Sequence, residues 1–149
     1  MTIKEIIELI RRDKAQHGIT LYEPASESEL LEFEKKLHIT LPQDIKDFYR
    51  FANGFESAED IFRIIPLKEI LSRIDRHHQN YFYIAEYMVY CDMWGVTIDP
   101  KNDTYKISEY SFKTALTNSF AEFLQCFLKG GVFGQDGLYD WKDKIINNS

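Results

Sequence analysis

Apolar and polar positions along this chain switch between two periods. Ile3, Ile6, Ile7 and Ile10 stand at i, i+3, i+4 and i+7, one helix stripe, and predict a helix over 2–16. Thr2 with Glu5 forms a capping box at its start, and His17-Gly18 ends it. The segment 19–24 reads as a linker with one short extended piece. A second helix opens at Ser26, where Glu29 completes another capping box, and runs to about His38. Its buried stripe is Leu30, Phe33 and Leu37. After a short Ile39-Thr40-Leu41 link, Pro42 starts a third helix, in the first turn where a missing N–H costs nothing. Ile45, Phe48, Tyr49 and Ala52 form its stripe. Asn53-Gly54 closes it, because both residues accept the left-handed conformation. These two helices are expected to pack as a hairpin on one core.

The period then shortens. The stretch 60–66 reads as a short strand with Phe62 and Ile64 on one side. Pro66 opens a helix with Leu67, Ile70, Leu71 and Ile74 as its stripe, fraying through 76–80. The aromatic and β-branched run 81–90 reads as a strand. Trp94, Val96 and Ile98 alternate with Gly95, Thr97 and Asp99, the plainest period-two signal in the chain. A turn cluster over 99–103 leads to Tyr105 and Ile107, so a hairpin is expected. The last long helix starts at Asn118 or Ser119, follows Phe120, Phe123, Leu124, Phe127 and Leu128, and stops at Gly130-Gly131. A short final helix carries Trp141 and Ile145-Ile146. Helices at both ends with a strand meander between them predict an α+β fold, an antiparallel sheet with helices packed on one face. No repeat or long linker divides the chain, so residues 1–149 read as a single domain.

Charge narrows the partners. Eighteen Lys and Arg stand against 24 Asp and Glu, a formal net charge of −6. That balance disfavours nucleic acid and anionic membrane and suits a basic protein. No apolar run approaches the ~20 residues of a membrane helix, and the N-terminus lacks a signal-peptide core, so a cytoplasmic protein is expected. Cys91 and Cys126 lack ligand spacing and read as free thiols.

No nucleophile elbow, phosphate loop, HExxH or CxxC is present, so neither an enzyme nor a cofactor is expected. His77-His78 are neighbours pointing about 100° apart on a helix; they read as solvated rather than metal-binding. Glu34 sits at the edge of an apolar helix face. It reads as a cap or an ion-pair partner rather than an acid or base.

Acids gather in three loop regions: Glu56, Glu59 and Asp60 after the third helix, Glu86 and Asp92 around the strand junction, and Asp99 and Asp103 in the turn. Together they are the candidate contacts for a basic partner, with Tyr87 or Tyr90 as a buried aromatic anchor. Trp94 shares parity with Val96 and Ile98 and is assigned to the core.

One constellation carries a resemblance. Glu34 and Leu37 in the second helix, then Leu41-Pro42, then a third helix closing on Asn53-Gly54, resemble the SUKH superfamily, the SMI/KNR-type domain. The resemblance is strongest over 26–55, weaker over 56–71 and collinear over 81–128. His38 stands where the family usually has Gly, and Phe55 replaces a second Gly. The resemblance implies the same α+β architecture and no catalytic residues. It implies the bacterial immunity-protein branch, whose members bind a cognate toxin, often a nuclease or deaminase, of a polymorphic or contact-dependent system. The alternative is a non-enzymatic regulatory or scaffold adaptor, as in the family's yeast branch.

Overall fold

A computed structural model of the chain describes residues 1–74, 80–110 and 114–148. Its elements run α1 (Ile3–Asp13), β1 (Ile19–Leu21), α2 (Glu27–Leu37), α3 (Gln43–Phe51), β2 (Phe55–Ser57), β3 (Phe62–Ile64) and α4 (Leu67–Ser72). They continue β4 (Tyr81–Tyr87), β5 (Asp92–Asp99), β6 (Thr104–Glu109), β7 (Thr114–Thr117), α5 (Phe120–Gly130) and α6 (Leu138–Asn147). The strands form one seven-stranded sheet in chain order, each antiparallel to the next. The fold is α+β, with helices at both ends of the chain, as the patterning predicts.

Local chemistry explains the helix starts. Thr2 and Ser26 each accept the N–H of the Glu three residues on, and that Glu bonds back to the cap's own N–H. Inward sheet residues then meet the helix stripes. Phe33 of α2 meets Phe82 edge-on at 5.3 Å, and Phe48 of α3 meets Phe120 of α5 at 5.2 Å. Phe62 of β3 lies 4.1 Å from Phe127 of α5 and 5.5 Å from Trp94 of β5. Tilted and edge-on rings are the favoured aromatic geometry. Trp94 is fully buried, as its parity requires.

The differences have physical reasons. Phe55–Ser57 is a strand rather than a loop, and Thr114–Thr117 adds an edge strand; at three and four residues both are too short to show a period. The strand over 81–90 stops at Tyr87, because residues 88–91 make a tight hairpin connection. Pro42 caps α3 from outside rather than sitting in its first turn. The helix ends on Ala52 in an extended conformation, and Asn53 is not left-handed; only Gly54 has positive φ, at +91°. An added Cβ there would stand 2.3 Å from the Ile64 carbonyl oxygen, so β2 can approach β3 only through glycine. The helix from Pro66 ends at Ser72. The expectations for Arg76 and His77-His78 lie outside the described residues.

Candidate functional site

The residues carrying the family resemblance are structural. Glu34 is mostly buried; its Oε2 accepts the Leu41 N–H at 2.8 Å and pairs with Lys46 Nζ at 3.4 Å. It thus fixes the turn between α2 and α3, where Leu41 is buried and Pro42 begins the next helix. Asn53 Oδ1 accepts the Leu67 N–H at 2.9 Å, so the Asn53-Gly54 pair caps the start of α4 while turning the chain into β2. Each residue type is set by a backbone requirement rather than by chemistry on a substrate.

The eight residues proposed as partner contacts do not form one surface. Glu56 points outward from β2, is exposed, and accepts a hydrogen bond from Tyr22 Oη at 3.2 Å. Glu59 is exposed in the β2–β3 turn. Asp60 in the same turn accepts the Val132 N–H at 3.0 Å, tying that turn to the segment after α5. Asp99 and Asp103 flank the β5–β6 turn at the far end of the sheet. Seven residue steps along β5 separate Asp92 from Asp99, roughly 23 Å at the usual strand rise. Asp99 caps its own turn, accepting from Asn102 Nδ2 at 2.9 Å and the Lys101 N–H at 3.0 Å; these bonds hold its carboxyl below the usual range.

Glu86 and Asp92 are corrections. Both are buried, so neither is a surface contact. Glu86 faces Arg63 across β3–β4 and accepts its Nε–H at 2.7 Å. Its second oxygen accepts the Tyr90 N–H at 2.6 Å. Arg63 also donates to Glu69 from both terminal nitrogens, Nη1 at 3.1 Å. Tyr90 Oη donates to Glu69 as well, and the Arg73 guanidinium lies 3.5 Å from the centre of the Tyr90 ring. Arg63 holds the Glu69 carboxyl below its ordinary range, while burial and the Glu69 carboxylate push the Tyr90 phenol up to about 12. Tyr90 is therefore an anchor, but of its own loop.

Asp92 lies on the opposite, inward face. Tyr139 Oη donates to its Oδ2 at 2.7 Å, and the fully buried Glu109 carboxyl adjoins it. Burial, then the Glu109 neighbour, raises the Asp92 carboxyl above its usual range. Tyr87 faces the same way, half-buried, with its ring 5.1 Å from Phe133.

What the Arg63–Glu86 network holds is unusual backbone. Met88, Val89 and Tyr90 are consecutive left-handed residues, with φ of 52°, 52° and 64°. Ile61, in the β2–β3 turn beside them, has φ of 51° and accepts the Met88 N–H on its carbonyl at 3.0 Å. Residues other than glycine cost of order 1–3 kcal/mol each in such regions, and the β-branched Ile and Val are the least suited. Ile61, Met88 and Val89 are also exposed. Sequence reasoning missed them: a lone aliphatic in a turn carries no period, and the network spans 23 residues between Arg63 and Glu86.

Among the described residues no group of three or more His, Cys, Asp or Glu could hold a metal ion, and no helix is long and apolar enough to cross a membrane. Cys91 and Cys126 are free thiols, and burial pushes the Cys126 thiol up to about 11.

A meandering antiparallel sheet, helices packed on its inward side, and a Glu, Leu-Pro, Asn-Gly frame used for caps define a SUKH-type domain. The chain belongs to the SMI1 / KNR4 family (SUKH-1), whose family model matches residues 24–126. No curated protein matches the chain.

Proposed function

We propose that this protein is an immunity protein that binds and neutralises a cognate bacterial toxin by stoichiometric protein–protein contact in the cytoplasm. The toxin is a basic domain of the nuclease or deaminase type. The protein itself acts without catalysis and without a cofactor. The observation that carries the reading is charge: a net −6, with the Glu56, Glu59 and Asp103 carboxylates exposed at the two loop-bearing ends of the sheet. Complementary charge mainly raises association rate and partner specificity. Loops on a rigid scaffold are also where binding residues concentrate, and here the helix stripes are buried in the core.

The test is co-expression with the toxin domain encoded beside the gene. The expected result is restored growth and a one-to-one complex that survives purification. If growth is not restored and no complex forms, the reading fails, and a regulatory or scaffold adaptor takes its place. Reversing Glu56 and Glu59 to Lys should slow association in low salt far more than in high salt.

A further inference from the structure

We propose that the recognition centre is the tip where the β2–β3 and β4–β5 turns meet, and that it receives a lysine or arginine side chain of the toxin. This rests on the toxin-binding reading. The stem of the incoming residue lies against Ile61 and Val89, and its cationic head reaches Glu56.

Three independent observations converge on this tip. The first is exposure. Ile61, Met88 and Val89 are 54%, 47% and 79% exposed, and the Met88-to-Ile61 backbone bond joins their two turns into one unit. Contiguous exposed aliphatics are where protein surfaces meet partners. The second is shape. Ile61 and Val89 line a groove of about 280 Å³ together with Glu56 and the Arg63–Glu86 pair. The third is rigidity. The left-handed run at 88–90 is kept in place where Tyr90 donates its N–H to Glu86 and its Oη–H to Glu69. A strained turn that the surrounding structure over-determines is a mark of a functional site, because it presents its side chains without an ordering cost on binding.

Charge selects the occupant. Arg63 is the cation that lines the groove, and both Glu86 and Glu69 bond to it. Glu56 lines the groove opposite Arg63 in the β2–β3 ladder and accepts a bond from the Tyr22 hydroxyl, and Glu59 stands exposed in the adjoining turn. Exposed aliphatics beside a groove lined by two carboxylates, Glu56 and Glu86, against the one cation Arg63 fit a long aliphatic stem with a positive end. They do not fit an acidic or purely apolar side chain.

The experiment measures binding of the purified, catalytically inactivated toxin domain encoded beside the gene. Val89→Gly removes an exposed aliphatic from the groove while easing the backbone, since glycine accepts positive φ, so the variant should melt no lower than the wild type. It should bind at least about tenfold more weakly, the scale of a central interface contact. Glu56→Lys should weaken binding by a similar factor, whereas Asp103→Lys, at the far end of the sheet, should leave it within about twofold. If the wild type binds and both Val89→Gly and Glu56→Lys bind equally well, the tip is not the centre, although the toxin-binding reading stands. If the wild type does not bind, that reading and this one both fail. Self-association of the wild type that Val89→Gly abolishes would identify the occupant as a second copy of this chain and overturn the proposal.

Discussion

Replacing Glu86 by Gln should destabilise the fold and loosen the β4–β5 turn together. The carboxylate side chain is 3% exposed and accepts from Arg63 Nε at 2.7 Å and from the Tyr90 N–H at 2.6 Å. Glutamine keeps one acceptor oxygen and puts an NH2 group in place of the other. Whichever way it turns, one buried donor faces another donor. Leaving such a donor unpaired costs about 1–3 kcal/mol, and breaking a buried ion pair 3–5 kcal/mol. Arg63 keeps Glu69, whose side chain is about one-third exposed, so the lower part of that range applies, about 2–3 kcal/mol. Unfolding entropy for a chain of 149 residues is roughly 0.3 kcal/mol/K, so the melting temperature should fall by about 7–10 °C. The turn should respond more sharply than the whole. Released from Glu86, the left-handed run relaxes, and the Tyr90 amide should exchange with solvent well before the flanking strand amides. Thermal melts by circular dichroism and hydrogen exchange resolved to single amides measure the two effects. A variant melting within about 2 °C of wild type, with Tyr90 exchange unchanged, would show that Glu86 does not hold the turn.

Three further outcomes follow from the fold. Gly54→Ala should lower the urea midpoint by an amount equal to at least about 2 kcal/mol, because φ is +91° and the new Cβ meets a backbone carbonyl at 2.3 Å. Gly95→Ala places a Cβ 2.2 Å from Tyr81 Oη, a side chain that can move; its smaller loss should be largely recovered in the Gly95→Ala, Tyr81→Ala double variant. Asp92 gives a pH effect of defined sign. Its folded-state pKa is raised, by burial first and Glu109 second, so the native state holds the proton more tightly than the unfolded chain. Stability from this group is present at low pH and is lost as pH rises from the ordinary carboxyl range through the raised value. Asp92→Asn should remove that slope and melt no lower than wild type at pH 7.5; a variant that keeps the slope would assign it to another group.

The legible part of this fold is the part that repeats. Ile3 through Ile10 and Phe120 through Leu128 show helix spacing over two turns or more, and Trp94, Val96 and Ile98 alternate over a full strand; each is found where the pattern puts it. Capping boxes at Thr2 and Ser26 were equally plain, since cap chemistry is local. What could not be read were short strands and cross-strand partnerships. Phe55–Ser57 owes its extended state to pairing with β1 and β3, not to its own propensity. Met88 through Tyr90 look like strand residues by composition, and partners distant in sequence, the Glu86 and Glu69 carboxylates that accept from Tyr90 and the Ile61 carbonyl that accepts from Met88, keep them in a left-handed turn. Glu86 and Asp92 looked like loop acids because nothing local distinguishes a carboxylate that will meet Arg63 or Tyr139 from one that will meet water.

That last distinction changes how the acidity of the chain bears on recognition. A net charge of −6 acts at long range and steers any cation toward the molecule, but it does not define a patch. Glu34, Asp60, Glu69, Glu86 and Asp92 are all engaged in holding turns or strands, and none of them is an exposed side chain. Of the candidate contacts, Glu56 and Glu59 are exposed at one end of the sheet and Asp103 at the other, and further exposed acids such as Glu8, Glu32, Glu122 and Asp143 are scattered over the helices. Specificity for one basic partner among many therefore needs something other than carboxylate count. In the proposed recognition the β2–β3 and β4–β5 turns supply it: side chains unsuited to their backbone, fixed in place by Glu86 and Glu69. Under the toxin-binding proposal, steering belongs to the field of the whole chain, and discrimination to Ile61, Val89 and Glu56 at one end of it.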